Sequence, residues 1–355
     1  MIWKISGEDK YNCCILLDLD PYLVMGALKL DIFVQPPDED CRANSYAVYP
    51  QLIRAVMLMH CQIGIAKQVF RNSSSIFKEK KRMPGSVARV FNTLHGYVYG
   101  RWTKQYIRVL LNYIFPNIGP RGKKWWADRF HFKVLTNEGA KAIVTIDKNI
   151  PLRDLEQIIP YPMVRDFVLK APPDIVVHEC SCRHTRERPC QPTQVCLIIG
   201  RPFVDFILEH HPHSSRRISQ KEAVELIEAE HKLGHIQTAW FKDAMGGRFY
   251  ALCNCCKCCC FGMEAMAKYA VPMVASSGYV AHLDEAVCEA CAACGEVCPF
   301  EAIQVKETAV VNWETCMGCG VCVGRCPIEA MTLVRDERKG IPLDVRLLVQ
   351  EQAVS

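Results

Sequence analysis

Apolar and polar positions recur at two different periods along this chain. Residues 97–115, closed by Pro116, follow a helical period: Val98, Trp102, Tyr106, Val109 and Tyr113 fall on one face, Arg101, Lys104 and Arg108 on another. Beyond residue 140 the signals shorten. Ala142–Ile146 and Asp174–Val177 are β-branched runs of strand length. Leu152–Leu155 and Met163–Val168 read as helical, each preceded by proline. Ser219 with Glu222 three positions later has the form of a capping box, opening a helix that stops near Leu233-Gly234. Phe249–Leu252 is strand-like and runs into cysteines. The expected fold is α+β. A mostly helical, basic and aromatic region spans 1–133, with loop punctuation at Gln35-Pro36-Pro37-Asp38. An α/β cysteine-rich domain spans 134–275, a compact module 280–336 and a polar tail 337–355.

Half of the 355 residues are hydrophobic and 23% are charged, which excludes wholesale disorder. The net charge of +5 conceals a partition, because residues 61–135 carry 15 basic and 2 acidic side chains. Lys78, Lys80, Lys81, Arg82 and Lys123-Lys124-Trp125-Trp126 belong to this stretch. A basic face beside aromatic rings suits a buried helix with a solvated side. It also suits a peripheral membrane surface or an acidic partner docking through residues 78–133. No nucleic-acid motif accompanies the charge, so no nucleic acid is expected. No uncharged run approaches the ~20 residues of a bilayer-spanning helix, and Met1-Ile2-Trp3-Lys4 does not open a secretory leader. A cytoplasmic location is expected, with the inner membrane face as a peripheral alternative.

Cysteine changes the picture most. There are 22, and eighteen lie between 180 and 326. Spacings of two residues without an export signal point to metal rather than disulfides. Two segments 28 residues apart repeat one pattern: Cys288, Cys291, Cys294, Cys298-Pro299, then Cys316, Cys319, Cys322, Cys326-Pro327. Three thiolates at two-residue intervals wrap a loop around one corner of an iron–sulfur cube, while the fourth, beside proline, projects toward the other repeat. Zinc is the alternative for CxxC pairs, but it gives no reason for two identical runs. The repeats resemble the bacterial two-cluster ferredoxin module. That resemblance implies one 4Fe-4S cluster on Cys288, Cys291, Cys294 and Cys326, and a second on Cys316, Cys319, Cys322 and Cys298.

The middle cysteines are Cys180, Cys182, Cys190 and Cys196, then Cys253, Cys255, Cys256, Cys258, Cys259 and Cys260. Both groups follow strand-like runs, where an α/β sheet places ligands. The simplest single set is Cys180, Cys182, Cys190 and Cys196, with Arg183, His184 and Arg186 offsetting a cluster's negative charge. Zinc on those four is the alternative. The ten thiols suit two clusters with two left over, one cluster plus a free dithiol, or a larger assembly. His178 and His184 are candidate tuning groups, and His210-His211-Pro212-His213 reads as a solvated loop. Cys13, Cys14 and Cys61 sit in apolar surroundings and read as packing residues, and the sequence assigns Cys41 no role. From about 150 to 335, the CxCR…C…CL loop and the CNCCxCCC segment resemble an iron–sulfur protein family of anaerobes, which implies cofactor content more than a reaction.

Two functions follow from these features. One is an electron-transfer protein or subunit passing single electrons through two ferredoxin-type clusters and at least one further metal site, to a redox partner protein. The other is an oxidoreductase with a catalytic cluster or dithiol at Cys180–Cys196/Cys253–Cys260, fed by the module. A sensor is disfavoured because it needs one labile cluster, not a relay.

Overall fold

The computed structural model describes residues 86–354 and three short strands near the N-terminus, β1 (Ile2–Lys4), β2 (Cys14–Leu16) and β3 (Phe33–Gln35). The chain divides into two units, Met1–Arg54 and Ala55–Ser355. In the first, β1, β2 and β3 form an antiparallel sheet in that order, where the sequence suggested mainly helix. Cys13, Cys41, Cys61, Pro36–Asp38 and the Lys78–Arg82 basic cluster lie outside the described residues, as does the side chain of Cys14.

The second unit opens with α1 (Ser86–Arg101) and α2 (Thr103–Val109), which runs into one π-helical turn at Leu110–Ile114. The helical expectation for 97–115 holds, but the face differs. The buried positions are Tyr99, Gly100, Ile107, Leu110, Leu111 and Phe115, because a break at Trp102 and the wide turn rotate the later residues around the axis. Helix α3 (Pro120–Ala127) begins on proline, whose missing N–H costs nothing there.

The centre is a nine-stranded sheet. Its main path runs β12 (Val274–Ala275), β4 (Phe130–Leu135), β10 (Ile236–Lys242), β11 (Arg248–Cys255), β8 (Gln194–Ile199), β7 (Ile175–Glu179), β9 (Ser215–Arg217). The pairings along it are antiparallel except β12 with β4. The region expected as an α/β cysteine-rich domain is thus built on a mostly antiparallel sheet flanked by helices. Every residue of β4 and β10 is buried, so both faces of the sheet are covered.

Three local expectations are corrected. Ala142–Ile146 is not a strand: Val144 ends helix α4 (Asn137–Val144), whose cap Thr136 accepts the Gly139 N–H at 3.1 Å. Its Ala140, Ile143 and Val144 are buried together, so the apolar run is a helical stripe read too short. Leu152–Leu155 and Met163–Val168 are not helices but feed β5 (Ile150–Asp154) and β6 (Asp166–Leu169), which pair antiparallel. Pro151 lies within β5, and Pro162 lies in the loop before β6. The helix from Ser219 forms as expected: Ser219 caps α6 (Gln220–Lys232) by accepting the Glu222 N–H at 3.1 Å, while the Glu222 side chain pairs with Arg216. Between β8 and β9 lies α5 (Phe203–His210), and α7 (Phe261–Tyr269) follows the last middle cysteine.

The C-terminal module pairs β13 (Tyr279–Leu283) with β16 (Met331–Arg335), and β14 (Ile303–Val305) with β15 (Ala309–Val311). Between them stand two five-residue helices, α8 (Ala293–Val297) and α9 (Val321–Arg325). Helix α10 (Val345–Val354) ends the described chain. Cys319 and Val321 join the same buried cluster as the sheet, so the module packs on the main core as well as having its own.

Candidate metal centre

In the module the two cysteine runs share one backbone conformation. Ala290 and Ala292 adopt φ of 54° and 63°, and Gly318 and Gly320, their counterparts 28 residues on, adopt 63° and 79°. Glu301 and Glu329, each three residues after the fourth cysteine, are also left-handed at 53° and 55°. Left-handed residues curl the loop so that thiols two apart converge. The Ala302 N–H reaches Cys298 Sγ at 3.3 Å and the Ala330 N–H reaches Cys326 Sγ at 3.2 Å, again in register, and the Ala281 N–H lies 3.5 Å from Cys316 Sγ. Donors aimed at sulfur suit thiolates carrying charge. Cys294, Cys298, Cys316, Cys319 and Cys322 are buried, while Cys291 is exposed. Burial pushes the Cys319 thiol well up and Cys322 to about 12, so their ionised forms need a compensating cation. The donor set fits an iron–sulfur cluster.

The middle cysteines converge because of sheet register. Opposite residues run His178 on β7, Cys196 on β8, Cys253 on β11 and Thr238 on β10. Alternation then puts Cys255 on the same face as Cys253, and Cys255 Sγ lies 3.3 Å from Thr238 Oγ1. Cys180 follows β7, Cys182 precedes a 3-10 turn at Arg183–Thr185, and Cys260 caps α7. Cys180 interacts with Cys182 and Cys196, Cys253 with Cys196 and Cys255, and Cys255 with Cys260, so six sulfurs form one connected group. Hydrogen bonds from Cys182 and Cys196 hold Cys180 well below the usual thiol range, and those from Cys253 and Cys260 do the same for Cys255.

Cys190 does not join its sequence neighbours Cys180, Cys182 and Cys196. It lies with His235 and Cys256 instead, and Cys256 is also close to Cys258 and Cys259. The expected offsetting charges are already partnered. Arg183, 1% exposed, donates to Glu230 Oε2 at 2.7 Å, His184 pairs with Glu179 at 2.8 Å, and Arg186 bonds the Cys259 carbonyl at 3.0 Å. Of the histidines expected in a solvated loop, His213 is exposed, but His210 packs on Tyr97 and Phe206, and His211 Nε2 bonds the Gly100 carbonyl at 2.9 Å.

The six-sulfur group borders a cavity of ≈ 1590 Å³. Its other walls include Tyr97, Tyr99, Trp125, Phe130, Phe206 and Tyr250. Tyr99 and Tyr250 share a hydroxyl hydrogen bond of 2.7 Å, and burial pushes both phenols up, so both stay protonated: one donates to the other, leaving a single O–H to offer a ligand. Pattern reading missed Tyr99, Tyr250, Thr238 and His235. No local motif marks them, since each reaches the site across strands or helices far apart in sequence.

Residues 309–332, which hold the second cysteine run, match the 4Fe-4S binding domain. With the grouped cysteines, this match defines an iron–sulfur protein. No curated protein matches the chain, and no solved structure does.

Proposed function

We propose that this chain is an electron-transfer protein or subunit that passes single electrons through two 4Fe-4S clusters in residues 280–336 and at least one further metal site. The observation that carries it is the 28-residue repeat in backbone conformation: left-handed residues and N–H···S bonds recur at matching positions in both runs, including the one outside the matched segment. By that reading Cys288, Cys291, Cys294 and Cys326 hold one cluster, and Cys316, Cys319, Cys322 and Cys298 the other. A cluster of this type takes up and releases one electron with little movement. The chain's own part is to supply thiolates, aim N–H groups at sulfur and exclude water around Cys319 and Cys322, all of which set the potential. Exposed Cys291 leaves one end of the module open to a redox partner.

The test is anaerobic iron and sulfide analysis with electron paramagnetic resonance. About eight iron with cubane-type signals is the minimum expected for the module. Cys319→Ala removes about four of these and leaves the middle iron, whereas Cys255→Ala does the reverse. Loss of all iron in either variant, with the fold retained, sinks the partition.

A second reading, an oxidoreductase working at the middle thiols, is favoured by the cavity. At ≈ 1590 Å³ it exceeds the roughly 300–1000 Å³ of ordinary ligand pockets, and Cys180, Cys182, Cys196, Cys253, Cys255 and Cys260 line it. About twelve or more iron, with a signal unlike that of a cubane, would support this reading.

A further inference from the structure

Cys190 Sγ, Cys256 Sγ and the His235 imidazole lie within 4.8 Å of one another, and so do the sulfurs of Cys256, Cys258 and Cys259. Cys190 Sγ is 3.5 Å from His235 Nε2, and the Cys258 and Cys259 sulfurs are 3.5 Å apart. Among the described residues, no other triplet of histidine, cysteine or acidic groups is this tight. That includes the eight cysteines of the module and the connected group of six sulfurs, although Cys256 and Cys259 border the same cavity. The spacing discriminates between metals. A cube places an iron at each corner with a thiolate beyond it, which holds ligand sulfurs apart by the cube and two further bonds. One tetrahedral zinc, about 2.3 Å from each sulfur, draws its ligands to roughly 3.8 Å.

His235 is prepared for such a role. Its Nδ1 lies 2.7 Å from Glu230 Oε2, and Glu230 is fully buried. Arg183 Nη2 holds the same oxygen at 2.7 Å. With Nδ1–H given to the carboxylate, the Nε2 lone pair faces Cys190 and Cys256. A carboxylate that fixes the ring of a histidine ligand in this way is the usual support for zinc. The chain brings it about locally: Glu230 lies in the last turn of α6, and Gly234 at φ 84° reverses the backbone to deliver His235 at the entry to β10.

We propose that Cys190, His235, Cys256 and Cys259 hold a single tetrahedral zinc ion, separate from the iron–sulfur sites. Cys256 and Cys259 have the C-x2-C spacing of zinc knuckles, and the Cys259 N–H turns back to the Cys256 carbonyl at 3.4 Å. Cys258 and Cys259 both lie against Cys256; Cys259 is the buried one and is assigned as the fourth ligand, its sulfur closing from Cys256 toward Cys190 as the ion binds. The ion ties the loop before β8, the turn before β10 and the segment before α7 into one knot. This assignment does not rest on the electron-transfer reading, which stands or falls with iron.

The test uses the full chain purified under nitrogen from zinc-replete cells, with zinc and iron measured together. About one zinc per chain is expected, with X-ray absorption at the zinc edge giving three sulfurs and one nitrogen. Cys256→Ser and His235→Ala should each lower zinc about tenfold with iron unchanged, while Cys258→Ser retains both. The absorption measurement needs no variant, so it stands even if a substitution prevents folding. Unmodified chain without zinc, a zinc edge lacking nitrogen, or iron lost in step with zinc in Cys256→Ser overturns the proposal.

Discussion

Gly318 and Ala290 hold equivalent places in the two cysteine runs, and both have left-handed backbones. What separates them is what lies against them. A Cβ on Gly318 would come within 2.2 Å of the Tyr279 carbonyl oxygen and 2.4 Å of Ser277 Oγ, where the chain enters the module. Ser277 Oγ also donates to the Gly318 carbonyl at 2.7 Å, so neither side can retreat. Gly318→Ala is therefore expected to destabilise the module by about 2 kcal/mol or more, combining backbone strain with overlap. Gly320→Ala, where the nearest atom is the flexible Leu333 Cδ1 at 3.1 Å, should cost only about 1 kcal/mol. Thermal unfolding followed by cluster absorbance would rank the two, and an equal loss would contradict this account.

The central strands carry charges that most sheets exclude. Lys133 on β4 is 1% exposed and donates to the Ser276 carbonyl at 2.7 Å, and burial lowers it to about 7. Lys242 on β10 is fully buried, with its Nζ 4.4 Å from the Phe130 ring centre and 3.1 Å from Tyr106 Oη. Burial lowers it to about 8 although Asp243 opposes the shift. Both folded-state values fall below the unfolded value of about 10.4, so between them the unfolded chain binds more protons and stability rises with pH. The burial penalty is complete below pH 7 and fades toward pH 10, at up to about 1.4 kcal/mol per pH unit for each lysine. Lys133→Met should flatten the lower part of this rise in denaturant titrations from pH 7 to 10, and an unchanged slope would contradict it. Neither lysine stood out in the sequence. Helix α6 did, because Ser219 and Glu222 make their contact within one turn. The runs at 142–146 and 152–155 misled because a short apolar stretch fits a strand or one helical turn equally well, and packing chooses.

Across the second unit, sheet and module share a core. Val321 on α9 is 2% exposed in the cluster that includes the sheet, and it lies under Gly234 at the end of α6. Lys257, between the middle cysteines, pairs with Glu301 of the module at 2.8 Å. Val321→Ala is expected to cost about 1–3 kcal/mol and to split a single thermal transition into two, as the module loosens from the sheet. A lower but still single transition would show that the contact does not couple them. Among the described residues, no helix is long and apolar enough to cross a membrane.

The sequence alone determined the ligand chemistry and the module's repeat. Cysteine spacing, proline and left-handed residues act within a few positions, where the chain's own geometry is decisive. Only the tertiary structure decided how the ten middle thiols divide. Strand register places Cys196, Cys253 and Cys255 beside the cavity, while the turn at Gly234 carries His235 to Cys190 and Cys256. Those partners are brought together by antiparallel pairing and helix packing, and both depend on burying distant apolar faces together.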